Sequence, residues 1–407
     1  MIFKIFKLLL NIKFLPKNYK KINFIIYDSN SIEILKKHLL KKYNYFVIDN
    51  RIAKRKLYVS LALIFYFINK YLKLKKKLSL TEIYFLALIE FINPKLVFNC
   101  IDIDLQFSNI ARHSNKKIKF MTLQLTRMPQ RDVETYLFKK KLLKKNLLSD
   151  YYYQNYLGFG KYQYENIKKN NIKLDNFISV GSLNLANFLK SNKKNYKKKI
   201  YDICLISDEG AYTDKYGDKQ ITIENMKLNN NTIKENFFLL IKWTIKLVKE
   251  KKFKFAFVFK RKIEDYESLQ NEIKLYKDNL NNNEFNFLLK NASYRSSKNF
   301  YNSYDKLFKS KITLAVSSTL LIEGLITDNK VLSCNFTGLD SYNFPIKGIC
   351  SHTQKSYNSF ENKVLKIIRI KKQTYYNQLS RKKDYLSNFV NPEIIIKNIK
   401  TEIDKFL

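Results

Sequence analysis

A chain of 407 residues exceeds one ordinary core and fits two domains of about 100 to 200 residues each. A hydrophobic fraction of 45%, with 8 Gly and 5 Pro, supplies packed interiors and excludes a collagenous or linker-dominated chain. The formal net charge of +41 would suggest nucleic acid, yet only nine of the 76 basic residues are Arg and the Lys form no localised stripe. No nucleic-acid partner is expected, whereas attraction to anionic lipid is.

The opening MIFKIFKLLLNIKFLPKNYKK sets apolar side chains at helical spacing with Lys between them, and no small-residue cleavage site follows. The expectation is an amphipathic helix over 1–20 in a cytoplasmic chain, lying either in a membrane interface or on the protein's own surface. NFIIYD (Asn23 to Asp28) then reads as a strand, with Ser29, Asn30 and Ser31 as N-cap residues of a helix to about Leu40. YFVID (Tyr45 to Asp49) is the next strand, followed by a helical region to about Phe91. Within that region Leu57 to Leu72 is too short to cross a bilayer and is interrupted by Asn69 and Lys70, so it reads as a buried helix. After Pro94 come KLVFNCID (Lys95 to Asp102), IKFMTLQ (Ile118 to Gln124), NYLGFG (Asn155 to Gly160) and NFISVG (Asn176 to Gly181).

The Lys- and Asn-rich stretch from Ser191 to Lys199 reads as a linker, after which the scheme repeats. YDICLISD (Tyr201 to Asp208), FKFAFVFK (Phe253 to Lys260), NFLLKN (Asn286 to Asn291), ITLAVSS (Ile312 to Ser318) and KVLSCNF (Lys330 to Phe336) are expected strands separated by helices. Strands alternating with helices imply βαβ units. The expected fold is α/β: a parallel-sheet domain over 21–190, a linker over 191–199 and a second such domain over 200–407, with the last helix able to cross back to the first. Two such domains facing a central cleft would place ligands at the carboxyl ends of their strands.

The four cysteines show no CxxC pair, which suits a reducing compartment, and Cys100, Cys204 and Cys334 lie in apolar runs as small buried hydrophobes. His113 and His352 have no partner at metal-ligand spacing, so no metal and no cofactor is expected. A Walker lysine motif, a GxSxG elbow and a GxGxxG are all absent, leaving ATPase, hydrolase and simple dehydrogenase readings without support.

The most informative segment is LAVSSTLLIEGL, Leu314 to Leu325. An apolar strand runs directly into Ser317, Ser318 and Thr319 and then into a helix, aiming hydroxyls and helix N-terminal N–H groups at one point, where an anion can sit. Ordinary N-capping would use the same residues. Glu323, one turn further, is a carboxylate that could accept hydrogen bonds from a ribose hydroxyl pair. Lys260, Arg261 and Lys262 end another strand, where they could neutralise a diphosphate or a sugar carboxylate; Arg295, in ASYRSS, is a weaker candidate of the same kind.

In the first half Asp102 and Asp104 end the NCIDID run, and Arg127, Gln130 and Arg131 follow the strand ending at Gln124. A carboxylate there could act as general base on an acceptor hydroxyl, or simply cap a helix. Asp28 and Ser29 occupy the corresponding place after the first strand.

The stretch from ITLAVSSTLLIEGLITDNKVLSCNFTG through FPIKGICSHTQKSYNSF resembles the donor domain of bacterial surface-carbohydrate (capsule and lipopolysaccharide) biosynthesis proteins, and the N-terminal FNCIDIDLQFSNIARHSNKKIKFMTLQ and the joining FISVGSLNLANF are similar to the same family. That group is GT-B glycosyltransferase-like, related to Kdo transferases and more distantly to nucleotide-sugar 2-epimerases and CDP-glycerol glycerophosphotransferases. The resemblance implies a peripheral membrane glycosyltransferase acting from a nucleotide sugar without a dedicated metal. It implies Ser317, Ser318, Thr319, Lys260 and Arg261 on the donor phosphate, Glu323 on the nucleoside, and Asp28, Ser29, Gln124, Arg127 and Arg131 on the acceptor side. Family members commonly carry Gln-Asn-Gly where this chain has Gln124-Leu125-Thr126, which removes a permissive backbone position. The implied function is transfer of a sugar or sugar-like group to a surface polysaccharide or lipid-linked acceptor, the alternatives being a nucleotide-sugar epimerase or a non-catalytic binding member of the same fold.

Overall fold

The computed structural model describes residues 12–16, 18–28, 32, 35–36, 38–49, 56–101, 104–126, 151–191, 198–208, 221–223, 226–228, 230–296 and 301–407. These fall into two compact units, one made of the described residues up to 126 together with 151–187 and 389–407, the other of those within 188–388.

In the first unit β1 (Ile12–Phe14), β2 (Phe24–Ile26), β3 (Tyr45–Val47) and β4 (Leu57–Val59) precede the helices α1 (Leu61–Leu74) and α2 (Leu80–Ile92). Then follow β5 (Leu96–Asn99), α3 (Leu105–His113), β6 (Lys119–Leu123), β7 (Tyr152–Gly158), α4 (Lys161–Lys169), β8 (Lys173–Ser179) and α5 (Leu183–Ser191). Six strands form an all-parallel sheet in the order β3-β2-β5-β6-β7-β8. A parallel strand is buried on both faces, and the alternation along each strand divides the apolar side chains between two cores. Ile25, Val97 and Phe120 face α2, while Phe24, Ile26, Phe98 and Met121 share the other core with Leu183 and Ala186 of α5.

The second unit contains β9 (Tyr201–Ile206), a hairpin of β10 (Ile221–Ile223) and β11 (Met226–Leu228), α6 (Asn230–Lys251), β12 (Phe255–Lys262), α7 (Tyr266–Asn279) and α8 (Asn282–Lys290). It continues through β13 (Ala292–Arg295), α9 (Asn302–Phe308), β14 (Ser310–Ala315), α10 (Thr319–Ile326), β15 (Val331–Cys334), β16 (Ser351–His352), α11 (Tyr357–Arg369) and α12 (Lys372–Asn377). Its sheet is also all-parallel, in the order β13-β12-β9-β14-β15-β16. This is the doubly wound arrangement in which the chain starts at the centre, builds to one side and then to the other. The last helix, α13 (Pro392–Asp404), belongs to the first unit, where Ile395, Ile396, Ile399 and Ile403 fill the core opposite α2.

Three sequence expectations are corrected, and one element is new. The region Leu57 to Leu72 is not one buried helix: Ser60 accepts from the Leu63 N–H and caps α1 after the short strand β4, and of the α1 side chains only Leu63 is buried. The sheet's face is already covered by α2, which leaves α1 as an outer layer. NFLLKN is the end of α8, because Asn281 and Glu284 form a capping box that commits the segment to helix; the strand follows at Ala292. Within the expected helix over 1–20, Ile12–Phe14 is a strand paired in parallel with Leu57–Val59, and residues 1–11 lie outside the described residues. The hairpin β10–β11 had no counterpart in the sequence reading.

All four cysteines are buried free thiols, and burial pushes Cys204 and Cys350 up to about 12, far from thiolate formation at neutral pH. No helix among the described residues is long and apolar enough to cross a membrane.

Ile399→Ala should cost about 2–5 kcal/mol through lost burial and a residual cavity, read as a lower urea midpoint with an unchanged slope. A second prediction concerns Lys199, whose ammonium donates to the Phe308 carbonyl at 2.7 Å and to Asn329 at 2.9 Å. Burial, with Lys372 and Lys330 nearby, lowers it from 10.5 to about 8. Between those values the unfolded chain holds the extra proton, so this site's contribution to stability rises with pH from about 8 to 10.5. Wild type should therefore gain melting temperature relative to Lys199→Met across that window; parallel curves would contradict it.

Candidate functional site

In a doubly wound sheet the ligand crevice lies at the carboxyl ends of the strands where the order reverses. In the second unit that point falls between β9 and β14, and the LAVSST turn is the loop leaving β14. Ser318 is the N-cap of α10, its hydroxyl accepting from the Leu320 N–H at 3.3 Å, and Thr319 is the first helical residue. The expected strand, turn and helix are thus present in the expected order. Ser317 is buried, while Ser318 and Thr319 are half-buried.

The turn is braced from both neighbouring strands. Asp208, the residue that closes the β9 run, accepts from the N–H groups of Val316 and Ser317 through one carboxylate oxygen, each at 2.9 Å. From the other side the Ser333 hydroxyl of β15 donates to the Val316 carbonyl at 2.6 Å. Backbone groups buried at a strand end must find partners inside the protein, and here side chains from β9 and β15 provide them.

A second carboxylate repeats this arrangement on the far side of β9. Glu272 of α7 is fully buried and accepts from the N–H groups of Lys260 and Arg261 at 3.1 and 2.9 Å, and from the Ser207 hydroxyl at 2.5 Å. Tyr276 completes the network with Ser207 and Glu272. The basic run at the end of β12 is therefore fixed through its backbone, with the Lys260 side chain exposed and those of Arg261 and Lys262 half-buried.

Glu323 is only 2% exposed and accepts a hydrogen bond from the Tyr304 hydroxyl. Burial first, and then Glu323, push that phenol well above its ordinary value, so Tyr304 stays a neutral donor. Its ring stacks on Phe188 at 4.9 Å between centroids. Arg295, at the end of β13, is lowered by burial, an effect opposed by the nearby Tyr304 and Glu272. Any ribose hydroxyl reaching Glu323 would have to share it with Tyr304.

In the first unit the order reverses between β2 and β5. Asp28, at the end of β2, is buried and engaged within the fold. Asp104 is the N-cap of α3, accepting from the Phe107 N–H at 3.0 Å and from Asn99 at 3.4 Å. Gln124 is buried and ties three segments together: its amide donates to the Thr126 carbonyl and to Gln163, and its carbonyl accepts from the Phe159 N–H. Asp102, Ser29, Arg127, Gln130 and Arg131 lie outside the described residues. Among the described residues no group of three or more His, Cys, Asp or Glu is placed to hold a metal ion.

Sequence reasoning passed over Asp208, Glu272 and Tyr304. Asp208 carried one usable signal, an acidic residue ending an apolar strand. Glu272 lies three residues after Leu269 and four before Tyr276, both buried, which places it on the inward face of α7.

No protein-family model matches the sequence, and no curated protein matches it. Solved structures do. A UDP-GlcNAc 2-epimerase from Methanocaldococcus jannaschii, solved in complex with UDP-GlcNAc and UDP, is similar with a TM-score of 0.50 and 12% identity, over 93% of this chain and 99% of that one. A putative UDP-N-acetylglucosamine 2-epimerase from Listeria monocytogenes gives a TM-score of 0.50 and 10% identity, over 94% and 96%. The chain has their GT-B-like fold. The wall teichoic acid polymerase TagF is similar at a lower TM-score of 0.44, with 10% identity over 95% of this chain and 90% of that one.

The bracing of the β14 turn yields a direct test. Asp208→Ala leaves two buried N–H groups without an acceptor, and each should cost about 1–3 kcal/mol. Asp208→Asn retains a carbonyl oxygen and should lose clearly less in chemical unfolding. Equal losses would mean that the acceptor geometry is not what stabilises the turn.

Proposed function

We infer that the protein binds a nucleotide-activated sugar at the carboxyl end of the second unit's sheet and transfers the sugar or sugar-like group to a surface polysaccharide or lipid-linked acceptor. The observation that carries this reading is the β14–α10 turn at the point where strand order reverses, held in shape by Asp208 and Ser333. A helix N-terminus with hydroxyl residues favours a phosphate through its N–H groups and its dipole, and Lys260 and Arg261 end a strand of the same sheet. Such a site stabilises a departing nucleoside diphosphate by fixed dipoles and positive charge. Capsule or lipopolysaccharide synthesis at the inner face of the cytoplasmic membrane is the setting this reading proposes.

On the acceptor side the reading draws on the carboxylates Asp28, Asp102 and Asp104. As general base, Asp104 would have to exchange its cap on the Phe107 N–H for an acceptor hydroxyl. A second reading, nucleotide-sugar 2-epimerisation, is favoured by the fold likeness to two such epimerases. Product analysis separates the two: an epimerised donor without acceptor supports the second, and donor consumption that requires a glycan or lipid acceptor supports the first.

The site test uses paired measurements on each variant. Ser318→Ala combined with Thr319→Ala should weaken nucleotide-sugar binding by about 1.5–3 kcal/mol for each lost charge-assisted bond. Arg261→Ala should fall in the same class, and Glu323→Gln should weaken the nucleoside portion instead. Simple capping predicts about 1 kcal/mol of lost stability with unchanged affinity. That second outcome would reject the site.

A further inference from the structure

Helix α1 presents an apolar face to solvent. Its inward side packs through Leu63, with Phe67 and Leu74 against the same core, and Lys70 pairs with Glu90 of α2. On the opposite side Leu61 is 79% exposed, Phe65 72% and Leu72 63%, with Ile64 and Ile68 between them at 44% and 46%. Residues 61, 64, 65, 68 and 72 recur at helical spacing and form one continuous stripe. Phe14, 85% exposed, extends it, because β1 pairs with β4 immediately before α1 begins. Isolated exposed apolar residues are ordinary, but a contiguous stripe of this kind marks an interaction surface.

The charge around the stripe identifies what covers it. From Lys56 to Thr81 the sequence holds six Lys and no Asp or Glu. Lys73, Lys75, Lys76 and Lys77 are exposed at the carboxyl end of the helix, and Lys13 is exposed beside Phe14. A second copy of the chain meeting this face across a two-fold axis would bring like-charged rows together. The Lys-bearing segment 1–11 would add positive charge as well. A surface that is apolar beneath a layer of fixed negative charge fits both features. At 14 residues α1 is too short to span a bilayer and suited to lying along one.

We propose that the outer face of α1, with Phe14, is the surface by which this protein docks on an anionic lipid bilayer, the apolar stripe entering the headgroup boundary and the Lys row meeting acidic headgroups. The first unit alone carries this proposal, so it stands or falls independently of the nucleotide-sugar site.

The test is sedimentation of the full chain with vesicles of phosphatidylcholine alone or equimolar with phosphatidylglycerol. Wild type should bind the anionic vesicles, bind phosphatidylcholine little, and be released by salt as screening shortens. Phe65→Asp with Ile68→Asp, and separately reversal of Lys73, Lys75, Lys76 and Lys77 to Glu, should each weaken binding by at least about tenfold. Melting temperature should stay within a few degrees of wild type in both. Because these positions are exposed, loss of folding is not the expected result, and the milder Phe65→Ser supplies an independent variant if the double change destabilises the chain. Unchanged vesicle binding in both sets would overturn the proposal. So would absence of wild-type binding, or a dimer that Phe65→Asp dissociates while vesicle binding persists.

Discussion

The N–H groups of Val316 and Ser317 emerge where a central parallel strand stops, and they need an acceptor inside the protein. Asp208 supplies it. Because Asp208 closes β9, the carboxyl ends of the two strands flanking the reversal point become one hydrogen-bonded unit. The turn into α10 is set by that bond together with Ser333, before any ligand is considered. Glu272 does the same for the other neighbour of β9, holding the Lys260 and Arg261 backbone. Two buried carboxylates thus fix two strand ends around a shared centre, and preorganisation of this kind lets a phosphate site act without reorganising when charge develops.

These contacts also bear on how the excess charge is accommodated. Basic residues outnumber acidic ones 76 to 35, and pairs such as Lys42 with Asp404 and Lys274 with Asp278 are exposed and of small energetic weight. Asp208 and Glu272 instead accept from backbone N–H groups, bonds that side-chain motion and salt do not easily remove. Glu323 is also turned inward, accepting from the Tyr304 hydroxyl. The carboxylates taken into the interior mark where geometry is most constrained.

Much of the fold was legible because a parallel strand covered on both faces appears as an uninterrupted apolar run, as in ICLI (Ile203 to Ile206) and LAV (Leu314 to Val316). The strand-to-helix turn at Ser317 to Thr319 was legible for a related reason: hydroxyl residues between two apolar segments are good caps. NFLLKN was misread because a short apolar run looks the same in a helix and a strand, and the decisive capping box at Asn281 and Glu284 lies upstream of it. The apolar run of α1 looked buried because hydrophobicity reports a tendency and not the order of layers; α2 takes the place next to the sheet, and α1 is left outside. Gln124, which the resemblance implied on the acceptor side, links Thr126, Gln163 and Phe159 through its amide, partners that no local pattern names. Asp208 and Glu272 were missed because their partners are backbone groups 108 and 12 residues away, a relation no local pattern contains.

The central claim is that a nucleotide sugar is held at the β14–α10 turn. Hydrogen exchange of the full chain, with and without a saturating member of a panel of UDP-, GDP-, CDP- and CMP-sugars, tests it most directly. The account predicts that a binding donor slows exchange in peptides spanning Leu314 to Leu325, with a smaller effect at Phe255 to Lys262. Binding that protects other segments and leaves Leu314 to Leu325 unchanged would contradict it.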